Sequence, residues 1–471
     1  MLPLRKFASD VDAITNEAVG FGANDDLTGC NQGRLIVKRL SLYGLLALAV
    51  AVAPACGKKS DKKSKAQKKV AKQNNNKKNP TTNTPDEKPP KGVGVDMKTK
   101  TVTIGALNDI TGPAKVIGKP FADGKRLVVA QVNAGGSGLL PDGWKLKLIE
   151  ADHQYNGEKS ATLYKEMRNK VLFLSTSFGT HTTVALHDAL KRDNMVAFPA
   201  SLSSQMAKNE LTPPLGPAYN IEAMRAMDWA VKKAGGADKV KAGIVYQKDD
   251  YGLDALDGWK KAAEKLGVKI VSEQPINPTQ QDQTAPVAAL KKAGANFILL
   301  ATLPSSTGKI IGTAAAKFRW LTPTWIGNTP AWVDLIYKAP QAGMVFKNFY
   351  IVTGLTYWGE KVPGMDKFEE MFKKHGGDFK KDFYTMASYV QGLIQVQALK
   401  LAIESKDVTR AGYLKALHTL KGWNAGGMIQ PVTLEKVPYV TSTSTRILKP
   451  DFKNSSWEQV APYAAPSALA K

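Results

Sequence analysis

A chain of 471 residues exceeds what one hydrophobic core organises, which excludes a single compact unit and calls for two lobes with appendages. At 43% hydrophobic and 23% charged its composition is that of an ordinary globular protein, and with only two cysteines it has no disulfide framework. The formal charge of +24 is partly local, since the stretch from Gly57 to Lys100 holds 14 lysines against four acids. That run lacks interleaved aromatics, so it does not mark a nucleic-acid binder.

In chain order, Met1 to Gly33 shows no sustained periodicity and reads as a removed leader, or as a start assigned too early with initiation nearer Val37. Arg34, Lys38 and Arg39 then form a positive segment before the apolar run Leu40 to Ala53, which is short for a permanent membrane helix. Ala53-Pro54-Ala55-Cys56 ends that run and resembles the lipobox of bacterial lipoproteins, although Ala53 stands where that motif prefers Leu and Pro54 is uncommon in it. The resemblance implies acylation of Cys56, anchoring to a lipid bilayer, and a mature chain without Cys30; the plainer alternative is a secretory signal with an incidental cysteine. Residues 1–56 are thus expected to be leader and signal.

Residues 57–100 are expected to be a disordered tether. Lys, Asn, Pro and Thr dominate it, and it cannot bury enough apolar surface to offset its ordering entropy. A flexible coil of this length reaches on the order of 35 Å.

Thr101 to Gly136 reads as strand, loop and helix in succession. The strand ends at Asn108-Asp109, the loop is Ile110-Thr111-Gly112-Pro113-Ala114, and Phe121, Leu127, Val128 and Val132 share a helical face. Strands follow at 145–152, 171–175 and 195–198, with helices at 158–169 and 182–191 between them. After the break Leu211-Thr-Pro-Pro-Leu-Gly-Pro217, helices at 221–234, 251–266, 284–293 and 305–318 alternate with strands at 242–246, 268–273, 297–301 and 323–326. Such alternation predicts an α/β protein with two doubly wound parallel-sheet lobes.

The order of strand, Thr-Gly-Pro loop, Gly118, helix and Asn133-Ala-Gly-Gly136, then Gly179-Thr-His-Thr-Thr183, Val245-Tyr-Gln-Lys-Asp-Asp-Tyr-Gly252 and Leu290-Lys-Lys-Ala-Gly-Ala-Asn296, resembles the leucine/isoleucine/valine-binding receptors of ABC importers, periplasmic binding proteins of type I. The resemblance runs from Thr101 to the C-terminus. It implies a three-segment hinge, a first lobe of residues 101–220 and 354–426, a second of 221–353 and 427–471, and a cleft that closes on ligand. The third crossing is placed near 426–430. Helices 384–403 and 409–420 are expected to return to the first lobe.

The candidate site lies at strand-to-helix turns. Thr111 sits where an open α/β sheet offers backbone amides and hydroxyls to a ligand. The turn holding Phe178, Gly179 and Thr180 opens a helix and suits a carboxylate, although such turns also serve only as caps. The resemblance places Gly179 and Thr180 on the ligand-carboxylate loop, Ala200 and Ser201 on its companion, and Leu202 where some members carry Thr. It matches Tyr251 to a tyrosine that closes over the ligand and Tyr384 to an aromatic wall. Packing on a lobe surface is the alternative for Tyr251, and core packing for Tyr384.

At Gly327 to Ala331 amino-acid-binding members place an acid for the ligand ammonium, whereas this chain offers Asn328 and Thr329. Unless Asp109, Asp249 or Asp250 reaches the cleft, an amide, a carboxylic acid or a more apolar metabolite fits as well as a plain amino acid. No Gly-x-Ser-x-Gly or His-Glu-x-x-His motif is present, and Pro304-Ser-Ser-Thr-Gly-Lys309 lacks the first glycine and final hydroxyl of a phosphate loop. The five histidines lack metal-ligand spacing, and surface or capping roles account for them.

The reading is therefore a non-enzymatic, lipid-anchored receptor on the periplasmic face of the envelope, or on the outer face of the membrane if the source has a single membrane, that captures a small carboxylate- or amide-bearing metabolite resembling a branched-chain amino acid by closure of two lobes. It is expected to be a monomer without cofactor or metal, to bind a small molecule and an ABC permease, and to bind no nucleic acid. The alternatives are a sensor serving a membrane signalling protein and an envelope lipoprotein whose cleft is degenerate.

Overall fold

The computed structural model describes residues 92–470, so the expected leader, the signal segment with Cys30 and Cys56, and most of the tether lie outside the described residues. The tether's expected end at Lys100 is corrected. Strand β1 (Val95–Asp96) pairs antiparallel with the start of β2 (Thr101–Asn108). Gly94 brings it there, accepting from the Thr103 amide at 2.6 Å and packing against the backbone of Val171 and Leu172 too closely for any Cβ.

β2 is the centre of the first sheet, and its small and β-branched residues are buried from Ile104 onward. Helix α1 (Lys115–Asn133) follows, then β3 (Lys145–Asp152), which runs parallel to β2 in unbroken register from Thr101/Lys145 to Asn108/Asp152. Beyond α2 (Gly157–Met167), β4 (Leu174–Phe178) adds to the other edge of β2. Short helices α3 (Thr180–Val184) and α4 (His187–Asp193) lead to β5 (Ala197–Ala200) beside β4, and α5 (Ser204–Ala207) leaves the sheet.

Two local expectations are corrected here. β4 begins three residues later than the expected strand 171–175, because Val171 to Leu174 are all buried and continuous apolar residues give no alternation to locate the ladder. The expected helix 182–191 is two helices. The Thr182 and Thr183 hydroxyls donate to the Phe178 and Gly179 carbonyls four residues back, a pattern that bends helices.

The second lobe opens with α6 (Tyr219–Ala234) and continues through β6 (Lys241–Gln247), α7 (Asp250–Leu266), β7 (Lys269–Ile276), α8 (Thr284–Lys292), β8 (Phe297–Ala301), α9 (Pro304–Phe318), β9 (Thr324–Gly327), α10 (Ala342–Val345) and β10 (Phe349–Thr353). β8 is apolar and buried at all five positions, as a central parallel strand must be. The α7 ends follow capping chemistry: Asp249 accepts from the Tyr251 and Gly252 amides, and Gly267 takes the left-handed conformation at the far end. Pro304 to Lys309 lies within α9 rather than in a phosphate-binding loop.

The chain then returns to the first lobe for α11 (Pro363–His375), α12 (Phe383–Glu404) and α13 (Arg410–Leu417), and crosses back to add the antiparallel strands β11 (Thr445–Asp451) and β12 (Ser456–Ala464). The second sheet is therefore mixed, in the order β12-β11-β10-β9-β8-β6-β7. The third crossing is corrected from 426–430 to the residues just before Thr445. Up to Val440 the chain stays with the first lobe, since Leu434 bonds Leu420 and the Tyr439 amide bonds Ala207.

α12 is apolar almost all round, with 16 of its 22 residues buried, so it runs inside the lobe rather than along its surface. Glycines let it approach α1. A Cβ on Gly124 would stand 2.2 Å from the Thr385 carbonyl oxygen, and one on Gly392 would stand 2.6 Å from the Val128 side chain. At the α13 end, Arg410 donates to the carbonyls of Arg168, Val171 and Asp193, while Arg168 pairs with Asp193 at 2.8 Å.

Candidate functional site

The carboxyl ends of β4 and β5, the heads of α6, α7 and α12, and the turn after β9 converge between the lobes on a cleft enclosing about 670 Å³ of space, part of it open to solvent. Phe178, Gly179, Thr180, Ala200, Ser201, Leu202, Tyr251, Thr329 and Tyr384 all line it. Thr111 does not. It is exposed beyond the end of β2, with its hydroxyl on Asp152 Oδ2 at 2.6 Å, because Asp109 folds its loop back by accepting from the Gly112 and Ala114 amides. Burial raises that Asp109 carboxyl to about 6.

The polar end of the cleft is built from short hydroxyls. Thr180 Oγ1 and Ser201 Oγ lie 2.8 Å apart, and the Ser203 amide donates to Ser201 Oγ at 3.1 Å. Gly179 has φ +92°, and its amide donates to the Ala200 carbonyl. A Cβ there would come 2.8 Å from both Thr182 Oγ1 and the Tyr155 ring, so only glycine fits this turn. The amides of Thr180, His181 and Thr182 begin α3 and have no carbonyl behind them within the helix.

Everything else around the cleft is largely apolar. Ile117 and Phe121 on α1, Leu215, Tyr219, Leu303, Leu355, Phe383 and Ala387 form the walls, with the Gln391 side chain set among them. Phe178 packs edge-on to Phe121 and Tyr155, with ring centres 6.2 and 6.3 Å away. Tyr251 stands edge-on to Tyr219 at 4.6 Å, is 2% exposed, and its hydroxyl has no partner. Sequence reasoning missed most of these wall residues because apolar positions on helices look alike whether they face a core or a cleft. Tyr155 carried one signal, its place just after the strand end Asp152-His153.

The lobes are closed over this space. Tyr384 Oη donates across the gap to the carbonyls of Thr329 and Trp332, at 3.2 and 2.9 Å. Ser204 bonds Asp254 through amide and hydroxyl, and His181 Nδ1 lies 3.8 Å from Asp249 Oδ2. Asp382 at the head of α12 and Asp334 of the second lobe accept from the neighbouring amides of Tyr384 and Phe383. Burial raises both carboxyls, with Asp334 adding like-charge repulsion at Asp382, which reaches about 8.

None of the acids considered for a ligand ammonium lines the cleft. Asp109 holds its own loop, Asp249 caps α7, and Asp250 faces Gln205 at 3.4 Å. The carboxyl beneath the cleft is Glu222 on α6, which sequence reasoning missed. Its Oε2 accepts from Asn328 Nδ2 at 3.1 Å and from the Thr329 amide at 3.0 Å, and its Oε1 bonds the Thr329 hydroxyl. Burial raises this carboxyl to about 8. Among the described residues no His, Cys, Asp and Glu cluster suits a metal ion, and no helix is long and apolar enough to cross a membrane. His153, expected in a surface or capping role, is fully buried; its Nδ1 accepts from the Tyr155 amide, and burial lowers it to about 4.

Known proteins share this architecture. The chain is 22% identical over 327 residues to Leu/Ile/Val-binding protein homolog 7 of Brucella abortus, covering 63% of this chain and 76% of that protein. An amino acid binding protein of Pseudomonas aeruginosa is 21% identical over 293 residues, covering 61% and 75%. A fatty acid ABC transporter substrate-binding protein from Thermomonospora curvata superposes with a TM-score of 0.73 at 26% identity, over 80% of this chain and 95% of that one. A branched-chain amino acid ABC transporter protein from Thermus thermophilus with bound valine superposes at 0.69 with 19% identity, over 80% and 98%. A model of the periplasmic binding protein family matches residues 101–437. With two α/β lobes, three crossings and a shared cleft already in place, that match means the chain belongs to the periplasmic binding protein family, whose members bind solutes.

Proposed function

We propose that this protein is the extracytoplasmic solute receptor of an ABC importer, capturing a small carboxylate- or amide-bearing metabolite with an apolar body. The observation that carries the reading is a cleft between two lobes with hydroxyls and helix-end amides at one end and apolar walls elsewhere. A carboxylate or amide oxygen is received at the Thr180 and Ser201 end, while the aromatic walls desolvate the rest. Lobe closure then presents a compact shape to a permease. The fatty-acid receptor and the valine complex among the structural neighbours support both the transport role and the mix of polar head and apolar body. Acylation of Cys56, retention at the periplasmic face, a monomeric state and the absence of nucleic-acid binding complete the proposal. The lysine-rich segment behind Cys56 serves it as spacer.

Titration calorimetry against amino acids, aliphatic and aryl carboxylates and their amides tests the reading, with small-angle scattering to follow compaction. Thr180→Val and Ser201→Ala are each expected to weaken the best ligand by about tenfold, since each removes one hydrogen-bond partner from a dry site. Unchanged affinity in both variants would move the polar end of the site elsewhere. Tight leucine or valine binding would leave the receptor reading standing and overturn only the inference, drawn from Asn328 and Thr329 in place of an acid, that the ligand is not a plain amino acid.

A further inference from the structure

α1 carries a lysine where its packing against α12 is tightest. Lys125 is 2% exposed, one residue beyond the Gly124 contact with Thr385. Its Nζ donates to the Ser388 carbonyl at 3.1 Å and to Gln391 Oε1 at 2.9 Å, and lies 5.5 Å from the centre of the Phe121 ring. Both Gln391 and Phe121 line the cleft. Gln391 Nε2 in turn donates to the Pro199 carbonyl at 2.7 Å, two residues before Ser201. The ammonium is thus one side chain removed from the polar end of the ligand space.

No carboxylate answers this charge. Of the acids on the two helices, Asp123 bonds Arg126 at 2.8 Å, Asp382 accepts from the Tyr384 amide, and Glu404 closes the far end of α12. Tyr389 donates to Gln131, Tyr384 reaches across to the second lobe, and β5 contributes only the Pro199 carbonyl. The Ser388 hydroxyl beside the pair has no partner. Desolvation alone governs the amine and pushes its pKa well down. An unpaired buried cation is costly, and so is an unpaired anion in a closed apolar cleft. Each relieves the other.

We propose that Lys125 is the counter-charge for the bound ligand, acting through Gln391, so that the cleft selects a carboxylate with no ammonium of its own over the neutral amide of the same body. The inference rests on the receptor reading above and deepens it by fixing the charge of the ligand. Lys125 is here a positioning residue: it holds Gln391 and supplies field, and it does not touch the ligand. Binding of an anion raises the lysine pKa, so a proton is taken up between the unliganded and liganded values. Carboxylate affinity then falls as pH rises through the liganded value, while amide affinity stays flat.

The test is calorimetry on the full chain with octanoate against octanamide and phenylacetate against phenylacetamide, comparing wild type with Lys125→Met. The wild type is expected to prefer the acid of at least one pair by about tenfold or more, and the variant to lose that preference by weakened acid binding with the amide unchanged. Methionine fits the apolar surroundings, and a melting temperature equal to or above wild type checks the fold. Independently of the variant, the wild type should take up protons on binding the acid when titrated in buffers of different ionisation enthalpy. An unchanged acid preference in Lys125→Met, or no proton uptake by the wild type, overturns the assignment while leaving the receptor reading intact. Failure of the wild type to bind any of the four compounds or any amino acid overturns the receptor reading, and the assignment with it.

Discussion

Glu222→Ala is expected to lower the unfolding free energy by about 3 kcal/mol or more, and Glu222→Gln by about 1 kcal/mol or less, measured by urea denaturation near neutral pH. Alanine orphans the Thr329 amide and leaves Asn328 Nδ2 only the Tyr219 carbonyl at 3.3 Å, in a site closed to water where each orphaned donor hydrogen costs about 1 to 3 kcal/mol. Glutamine keeps an oxygen for both. Its amide also mimics the protonated acid, which donates to Thr329 Oγ1 while the Thr329 hydroxyl turns to Thr353 at 2.9 Å. A loss below 1 kcal/mol in the alanine variant would mean that Glu222 does not hold the turn after β9.

The same carboxyl makes stability depend on pH. Burial raises it from an ordinary 4.5 to about 8, so across that window the folded protein keeps a proton that the unfolded chain has released. Its contribution is full below about 4.5 and is lost as pH rises towards about 8, the direction expected when the folded state binds more protons. Asp382, also raised to about 8, acts in the same sense between 3.8 and that value. Stability curves from pH 5 to pH 9 should therefore fall less steeply for Glu222→Gln than for wild type. Parallel curves would show that the carboxyl does not titrate in this range.

Gly179→Ala is expected to abolish most ligand binding, with a loss of about a hundredfold and a smaller change in melting temperature. The φ of +92° strains any side chain, and the new Cβ would meet Thr182 Oγ1 and the Tyr155 ring at 2.8 Å. Relief by moving the turn displaces the Thr180 amide and hydroxyl from the polar end, and losing those hydrogen bonds to the ligand in a dry site costs about 2 to 3 kcal/mol of binding, which converts to roughly that factor in affinity. Tyr155 would move as well, and with it the wall against Phe178. Calorimetry with the best ligand of the panel checks this. Wild-type affinity in Gly179→Ala would remove the turn from the site.

How much was legible follows from the kind of signal each element carries. β8 and β3 could be placed to the residue, because Phe297 to Ala301 is an apolar run closed by turn chemistry and Lys145 to Asp152 is flanked by a tryptophan turn and a histidine. β4 slipped because Val171 to Phe178 is uninterrupted small or apolar sequence, and only hydrogen bonding to Val196 and Ala200 fixes where its ladder lies. The third crossing falls later than the resemblance places it, because the segment after Gly427 bonds back onto the first lobe through Leu434 and Tyr439. Thr111 looked like a ligand residue from its place after β2; a carboxylate on the adjacent strand, Asp152, claims its hydroxyl instead.

The sequence by itself determined the alternation of strands and helices, the two lobes, and the turns that carry Gly179, Thr180, Ser201 and Tyr251, because periodicity and capping are local and each is written within a dozen residues. Only the tertiary structure decided what surrounds those turns. Lys125 meets Gln391 across more than 260 positions of chain, and Glu222 meets Thr329 across more than 100. Pairings at that separation are set by which helix faces two packed sheets leave opposed, and burial there, rather than residue type, gives one carboxyl a proton and one amine no partner but amides.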